Sequence, residues 1–277
     1  RAAAAGERVE RRLDASHASY QLRGNLHSLG YFSTTVCIGS PPTAFDLIVD
    51  TGSSLTSLPC AECGDACGRH VHTGDYDFGA RFNASDSSTA ETIACDDPGD
   101  YCRPRCDGSE PCPYTVSYSE GSTIEGHLES DLVWVADADG PRGVRARFGC
   151  ATRETRLFYG QVADGITGLS GYLDSDTLLR VVFENTPSAS PIFSICLSDN
   201  VGALIIGGQL PPGDNKSLPW VPMEASHHYV VQIAAFLLDG ERLNGTMPTT
   251  ALVDSGTTFT YLPENVYVPF RDRWLTS

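Results

Sequence analysis

The chain has 277 residues, enough to bury a substantial core in one or two domains. Charged residues make up only 19%, and Gly 27 and Pro 17 give a strand-and-turn composition rather than a helix-rich one. A formal net charge of −16 counts against nucleic acid and anionic membrane as partners and fits a secreted or lumenal protein. Ten cysteines, seven of them between Cys60 and Cys112, point to an oxidising compartment. Three sequons, at Asn83, Asn215 and Asn244, agree with that. No apolar run is long enough to span a bilayer. The longest, Val230 to Leu238, is interrupted by Gln232 and is about half the required length, so the chain as given reads as soluble.

Residues 1–19 are Ala/Arg/Glu-rich and read as a solvated tail or as the remnant of a propeptide. From Tyr20 the pattern becomes strand-like. Tyr31 to Ile38 mixes aromatic and β-branched residues, Gly39-Ser40-Pro41-Pro42 turns the chain, and Ala44 to Val49 form a strand that delivers Asp50. Asp50-Thr51-Gly52-Ser53-Ser54 has a counterpart 204 residues on, Asp254-Ser255-Gly256-Thr257-Thr258, also at the end of an apolar strand. A single Asp-x-Gly is an ordinary turn. Two copies suggest two similar halves, each bringing one carboxylate to a common site.

The segment Cys60, Cys63, Cys67, His70 has the spacing of a zinc knuckle. Its Gly/Asp/Ser-rich composition and the further cysteines at 95, 102, 106 and 112 favour disulfide staples. Seven is odd, so one thiol pairs outside the segment, with Cys37, Cys150 or Cys196, or stays free. Connectivity is not readable from spacing. Pro113 to Tyr118 and Thr123 to Leu128 read as a hairpin around Ser119-Glu120-Gly121-Ser122. Leu132 to Ala136 and Val144 to Cys150 continue the sheet, Asp164 to Ser170 reads as an apolar-Gly turn, and Asp176 to Glu184 is the best helix candidate. Ile192 to Leu197, Ala203 to Ile206 and Tyr229 to Leu238 read as buried strands. The remaining histidines (17, 27, 127, 227, 228) have no nucleophile beside them and read as surface or structural.

Five ordered motifs carry a resemblance: Gly39 to Ser54, the hairpin at Tyr118, Asp164 to Leu169, Ile205 to Gly208, and Val253 to Thr258. Together they resemble the pepsin-type aspartic proteases. Leu58-Pro59-Cys60, the cysteine-rich insert, Ser117 to Ser122, Phe148-Gly149-Cys150 and Ser194-Ile195-Cys196 are similar to the plasmepsin V and nepenthesin-like group of that family. The chain departs at Ser119, where plasmepsin V has a flap cysteine, and at Ser57, where pepsin has a Trp that supports the flap tyrosine.

The resemblance implies an all-β, bilobal fold. A first lobe spans 20–210 with the insert at 60–112 and a flap at 114–128, and 211–277 begins a second, incomplete lobe. It implies peptide-bond hydrolysis by water activated between Asp50 and Asp254, with no metal and no cofactor. Gly52 and Gly256 admit backbone N–H groups to the carboxylates, Ser53 and Thr257 donate to their outer oxygens, and Thr51 and Ser255 cross-brace the two turns. Tyr118 and Gly121 belong to the flap over the substrate. Glu120 and Gln161 match a pair that recognises a substrate Arg, implying cleavage after Arg-x-Leu. The partner is then a peptide or protein substrate, and the protein is a monomer of the secretory-pathway lumen or the exterior, with any membrane anchor supplied by a segment outside this sequence. The competing expectation is an inactive binding protein on the same scaffold.

Overall fold

Apolar residues alternate through the runs around Asp50, and the chain folds there into strands. The computed structural model describes residues 17–70, 81–95, 102, 106, 111–137, 140–170, 177–185, 191–207, 220–224, 226–243 and 247–276. The tail at 1–16, His72, Asp176 and the sequons at Asn215 and Asn244 lie outside them. Asn83 lies within, and its side-chain carbonyl accepts from the backbone N–H of Ser85 at the start of a short 3-10 turn.

Eleven strands form one mixed sheet. β1 (His17–Asn25), β2 (Tyr31–Ile38) and β3 (Thr43–Asp50) run as an antiparallel meander. After β4 (Ser57–Pro59) and β5 (Glu91–Thr92), the hairpin of β6 (Pro113–Ser117) and β7 (Thr123–Asp137) leads into β8 (Gly140–Glu154). β9 (Gly165–Gly168), β10 (Phe193–Leu197) and β11 (Val201–Gly207) complete the set. The order is β10-β11-β1-β2-β3-β9-β4-β8-β7-β5, with β6 on β7. A further pairing of Cys37 and Ile38 with Trp134 and Val133 curls the sheet back on itself.

β3 passes between two apolar clusters. Phe45, Leu47 and Val49 face one with Leu22, Ile38, Leu58, Phe148 and Ile206. Ile48 faces the other with Leu55, Tyr114, Ile124, Leu128 and Ile166. Both faces of the strand are therefore covered where it reaches Asp50, which fixes its register firmly.

Several elements differ from what the sequence pattern predicts. The first strand starts at His17, because its pairing with β11 runs from His17↔Gly207. The stretch read as a turn at Asp164 to Ser170 contains β9, a strand parallel to β3 with Asp50 opposite Gly168. Tyr229 to Leu238 is not one strand: β12 (Val230–Gln232) pairs with β15 (Thr250–Leu252), and β13 (Leu237–Leu238) pairs with β14 (Glu241–Arg242). Gly and short apolar runs hid these boundaries from a period-2 reading. Of the three α-helices among the described residues, the expected one is α2 (Leu178–Asn185), which Thr177 caps by accepting from the Arg180 N–H. The unexpected ones are α1 (Leu157–Gly160), too short to show a period, and α3 (Glu264–Trp274), which carries Pro269 within it.

Four disulfides join described cysteines: Cys60–Cys150, Cys63–Cys67, Cys95–Cys106 and Cys102–Cys112. Cys150 is the outside partner of the seven-cysteine segment, and Cys37 and Cys196 are free. The zinc-knuckle quartet is thereby dissolved. Its cysteines are all oxidised, and the His70 ring is buried with Nε2 2.9 Å from the Glu154 carboxylate.

Candidate active site

β3 ends in Asp50, and the tight turn that follows aims backbone donors at its carboxylate. The Gly52 N–H donates to Oδ1 at 2.8 Å and the Ser53 hydroxyl to Oδ2 at 2.5 Å. The second turn repeats the pattern: the Gly256 N–H donates to Asp254 Oδ1 at 2.8 Å and the Thr257 hydroxyl to Oδ2 at 2.5 Å. Each glycine lies against the opposite carboxylate. A Cβ on Gly52 would stand 2.6 Å from Asp254 Oδ2, and one on Gly256 would collide with Asp50 Oδ1. Only glycine permits this mutual approach.

The turns are tied together reciprocally. The Thr51 hydroxyl donates to the Val253 carbonyl at 3.1 Å and accepts from the Ser255 N–H at 2.9 Å. The Ser255 hydroxyl donates to the Val49 carbonyl at 2.8 Å and accepts from the Thr51 N–H at 3.1 Å. Support below the turns is unequal. On the Asp50 side, β9 and the residues after it hold the turn: the Leu169 N–H donates to the Asp50 carbonyl and the Ser170 N–H to the Ser53 carbonyl. Among the described residues no strand does this for Asp254.

Asp50 is 4% exposed, whereas Asp254 is half-buried. Burial pushes the Asp50 carboxyl up to about 7; the Ser53 hydrogen bond opposes the rise, and the charge of Asp254, within hydrogen-bonding reach, adds to it.

The β6–β7 hairpin closes on itself at Tyr118 through the Tyr118 N–H to Ser122 carbonyl bond and the Gly121 N–H to Tyr118 carbonyl bond. The Tyr118 ring packs on Phe158 of α1, centroids 4.6 Å apart. Its hydroxyl is held well above its usual range by burial and by the charge of Asp50, partly offset by a hydrogen bond with Ser53. Tyr118 is thus a neutral group linked through Ser53 to the carboxylate pair. Gly121, at φ +89°, lies against the Arg156 guanidinium, whose Nη1 donates to the Glu120 carbonyl at 3.4 Å.

Asp50, Thr51, Gly52, Ser53, Tyr118, Asp254, Ser255, Gly256 and Thr257 therefore converge. Glu120 and Gln161 are not joined by a hydrogen bond. The Glu120 side chain is exposed at the hairpin tip, and Gln161 follows α1 with its side-chain N–H donating to the Ala163 carbonyl at 3.1 Å. Three contributors were not read from the sequence: Phe158, Arg156 and Tyr114. The Tyr114 hydroxyl is 2.6 Å from Ser57 Oγ, both buried. Ser57, in the position of the flap-supporting Trp, thus holds the base of the hairpin rather than Tyr118.

A strand-built lobe with paired Asp-Thr-Gly and Asp-Ser-Gly turns is the pepsin-like aspartic protease architecture. The chain belongs to the family described as xylanase inhibitor N-terminal, TAXi_N, which matches residues 32–208. It is 29% identical to plasmepsin V of Plasmodium falciparum over 300 residues, covering 90% of this chain and 49% of that protein. It is 35% identical over 224 residues to aspartic protease 5 of Toxoplasma gondii, covering 72% of this chain and 22% of the relative. With aspartic proteinase 36 of Arabidopsis thaliana the identity is 30% over 263 residues, with 87% and 52% covered. The chain spans about half the length, or less, of these curated relatives.

Proposed function

We propose that the protein carries the carboxylate pair of an aspartic endopeptidase, Asp50 and Asp254. The observation that supports this most is the reciprocal geometry of the two turns, each carboxylate fed by two donors and abutted by the other's glycine. Two carboxylates this close share one proton, the established behaviour of this class of enzyme. The charged member takes a proton from water as it attacks the scissile carbonyl, and the protonated member donates to the carbonyl oxygen. The titration belongs to the pair, with burial of Asp50 holding the shared proton up to about pH 7. Tyr118, neutral and linked through Ser53, would close over the peptide.

The test is hydrolysis of a peptide by the full-length protein. Asp50→Asn and Asp254→Asn should each lower turnover by at least about a hundredfold, the scale of general acid–base contributions, and pepstatin should block the parent. Turnover unchanged in either variant would overturn the assignment.

The finer reading is cleavage after Arg-x-Leu in the secretory pathway. Glu120 supports it, as an exposed carboxylate at the tip of the hairpin that carries Tyr118, as does the similarity to plasmepsin V. Glu120→Ala should erase the preference for Arg-x-Leu over Lys-x-Leu peptides. An unchanged ratio would remove Glu120 from specificity while leaving the carboxylate pair standing. A second reading, a binding protein on this scaffold, is favoured by the xylanase-inhibitor description of the family. The two intact Asp-Thr/Ser-Gly turns weigh on the side of hydrolysis.

A further inference from the structure

A second cluster of reactive side chains lies away from the carboxylate pair, on the ladder of β4, β8 and β7. Residues two apart on a strand share a face, so His127 and Glu129 of β7 project together. His127 pairs across the ladder with Cys150 of β8, and Leu58 of β4 pairs with Cys150 from the other side. Cys60 follows two residues later and is bonded to Cys150, Cα atoms 5.2 Å apart. The candidate ligand atoms of His127, Glu129 and Cys150 all lie within 4.8 Å of one another.

The carboxylate of this cluster is incompletely satisfied. Glu129 is 2% exposed, and its Oε1 accepts from the Thr92 hydroxyl at 2.8 Å and stands 3.1 Å from His127 Nε2. Its Oε2 is buried with no hydrogen-bond partner. A buried carboxylate oxygen left without a donor costs free energy, and a cation beside it removes that cost.

We propose that Cys60, Cys150, His127 and Glu129 form a zinc site whose occupation depends on reduction of the Cys60–Cys150 bond. Two thiolates, one imidazole and one carboxylate are a tetrahedral ligand set suited to Zn²⁺. β7 and β8 supply three of them and the residue that follows β4 the fourth, so the backbone of the site is present before the metal arrives. In the oxidised chain neither sulfur can act as a thiolate, and His127 and Glu129, with the exposed Glu62 carboxylate 3.5 Å from His127 Nδ1, do not make a closed site. A dithiol reductant converts it: the reductant gives up two electrons and two protons and becomes a disulfide, and Cys60 and Cys150 become thiols. Each thiol then releases its proton as it binds Zn²⁺. Staple and metal are alternative ways of tying β4 to β8. This inference is independent of the protease reading, because none of the four residues touches the carboxylate pair. It also differs from the Cys60–His70 spacing motif, since only Cys60 is shared.

The experiment is Zn²⁺ uptake by the whole chain, oxidised and after reduction, with Co²⁺ as a spectroscopic substitute. Reduction should add one bound Zn²⁺ per chain, and Co²⁺ should give thiolate-to-metal charge-transfer absorption. His127→Ala and Glu129→Gln retain all four disulfides, so their folding can be checked in the oxidised state. Each should weaken uptake by the reduced chain at least tenfold, while Cys63→Ser with Cys67→Ser should leave it unchanged. The proposal is overturned by any of three results: no additional Zn²⁺ on reduction, equal affinity in the parent and both His127 and Glu129 variants, or loss confined to the Cys63/Cys67 variant.

Discussion

At the scale of single residues, Asp50 carries the clearest electrostatic consequence. Its folded-state carboxyl is raised from an ordinary value near 3.8 to about 7, chiefly by burial. The folded chain therefore holds a proton between about pH 4 and pH 7 that the unfolded chain releases. Stability from this residue is fully present at the acid end of that window and falls as pH rises through it. Asp50→Asn removes the titration without changing the shape of the side chain. Its stability relative to the parent should climb from pH 4 to pH 7 and then level off, as followed by urea unfolding across that range. Parallel curves for the two proteins would mean that Asp50 titrates normally. The same shared proton gives hydrolysis a falling limb above about pH 7, where the stability contributed by this residue has already been lost.

Among the elements, the hairpin of β6 and β7 depends on its base as well as its tip. Ser57 Oγ and the Tyr114 hydroxyl lie 2.6 Å apart in the interior. Ser57→Ala would leave the Tyr114 hydroxyl buried and unpaired, costing about 1–3 kcal/mol. Tyr114→Phe added to it removes the orphaned hydroxyl and should recover part of the loss. A double-mutant cycle by denaturant unfolding checks this, and strictly additive losses would contradict it. This pair also marks where legibility ended. The turn chemistry at Asp50 and Asp254 was readable because Asp, Gly and hydroxyl residues at fixed offsets allow few alternatives. The hairpin was readable from its Gly-containing loop, whereas β7 runs unbroken through what reads as two segments, Thr123 to Leu128 and Leu132 to Ala136. What Ser57 touches was not, since its partner lies 57 positions away and spacing says nothing of such contacts. β9 was misread because two glycines in four residues look like a turn, yet both are needed for close packing: a Cβ on Gly165 would meet the backbone of Ser57 and Leu58, and one on Gly168 that of Ser53 and Ser54. α3 was missed because Pro263 precedes it and Pro269 lies within it, and both residues ordinarily argue for a loop. The partner of Cys60 came from the pairing of β4 with β8, which only the folded sheet reveals.

For the molecule as a whole, the two carboxylates are carried by unequal supports. Asp50 ends a strand flanked by two apolar clusters and is backed by β9. Asp254 follows a three-residue strand, in a region where Met223, Phe259, Tyr261 and Trp274 are exposed. The Asp254 turn is held against the large sheet by polar contacts: the cross-brace at Thr51 and Ser255, the Thr258 hydroxyl to the Gly30 carbonyl at 2.6 Å, and the Ser170 hydroxyl to the His227 carbonyl at 2.6 Å. Segments with few buried apolar contacts open locally at a cost well below that of global unfolding, so these bonds should set how often Asp254 leaves its partner. Thr51→Ala removes two of them, worth roughly 1–3 kcal/mol together. Amide exchange at 253–256 should accelerate roughly ten- to a hundredfold, while exchange in β3 and β7 stays at the parent rate. Thr51→Ser keeps the hydroxyl and should restore protection. Equal protection in the alanine variant and the parent would mean that the contacts at Gly30 and His227 hold the turn, leaving the cross-brace to orient the carboxylates without securing them.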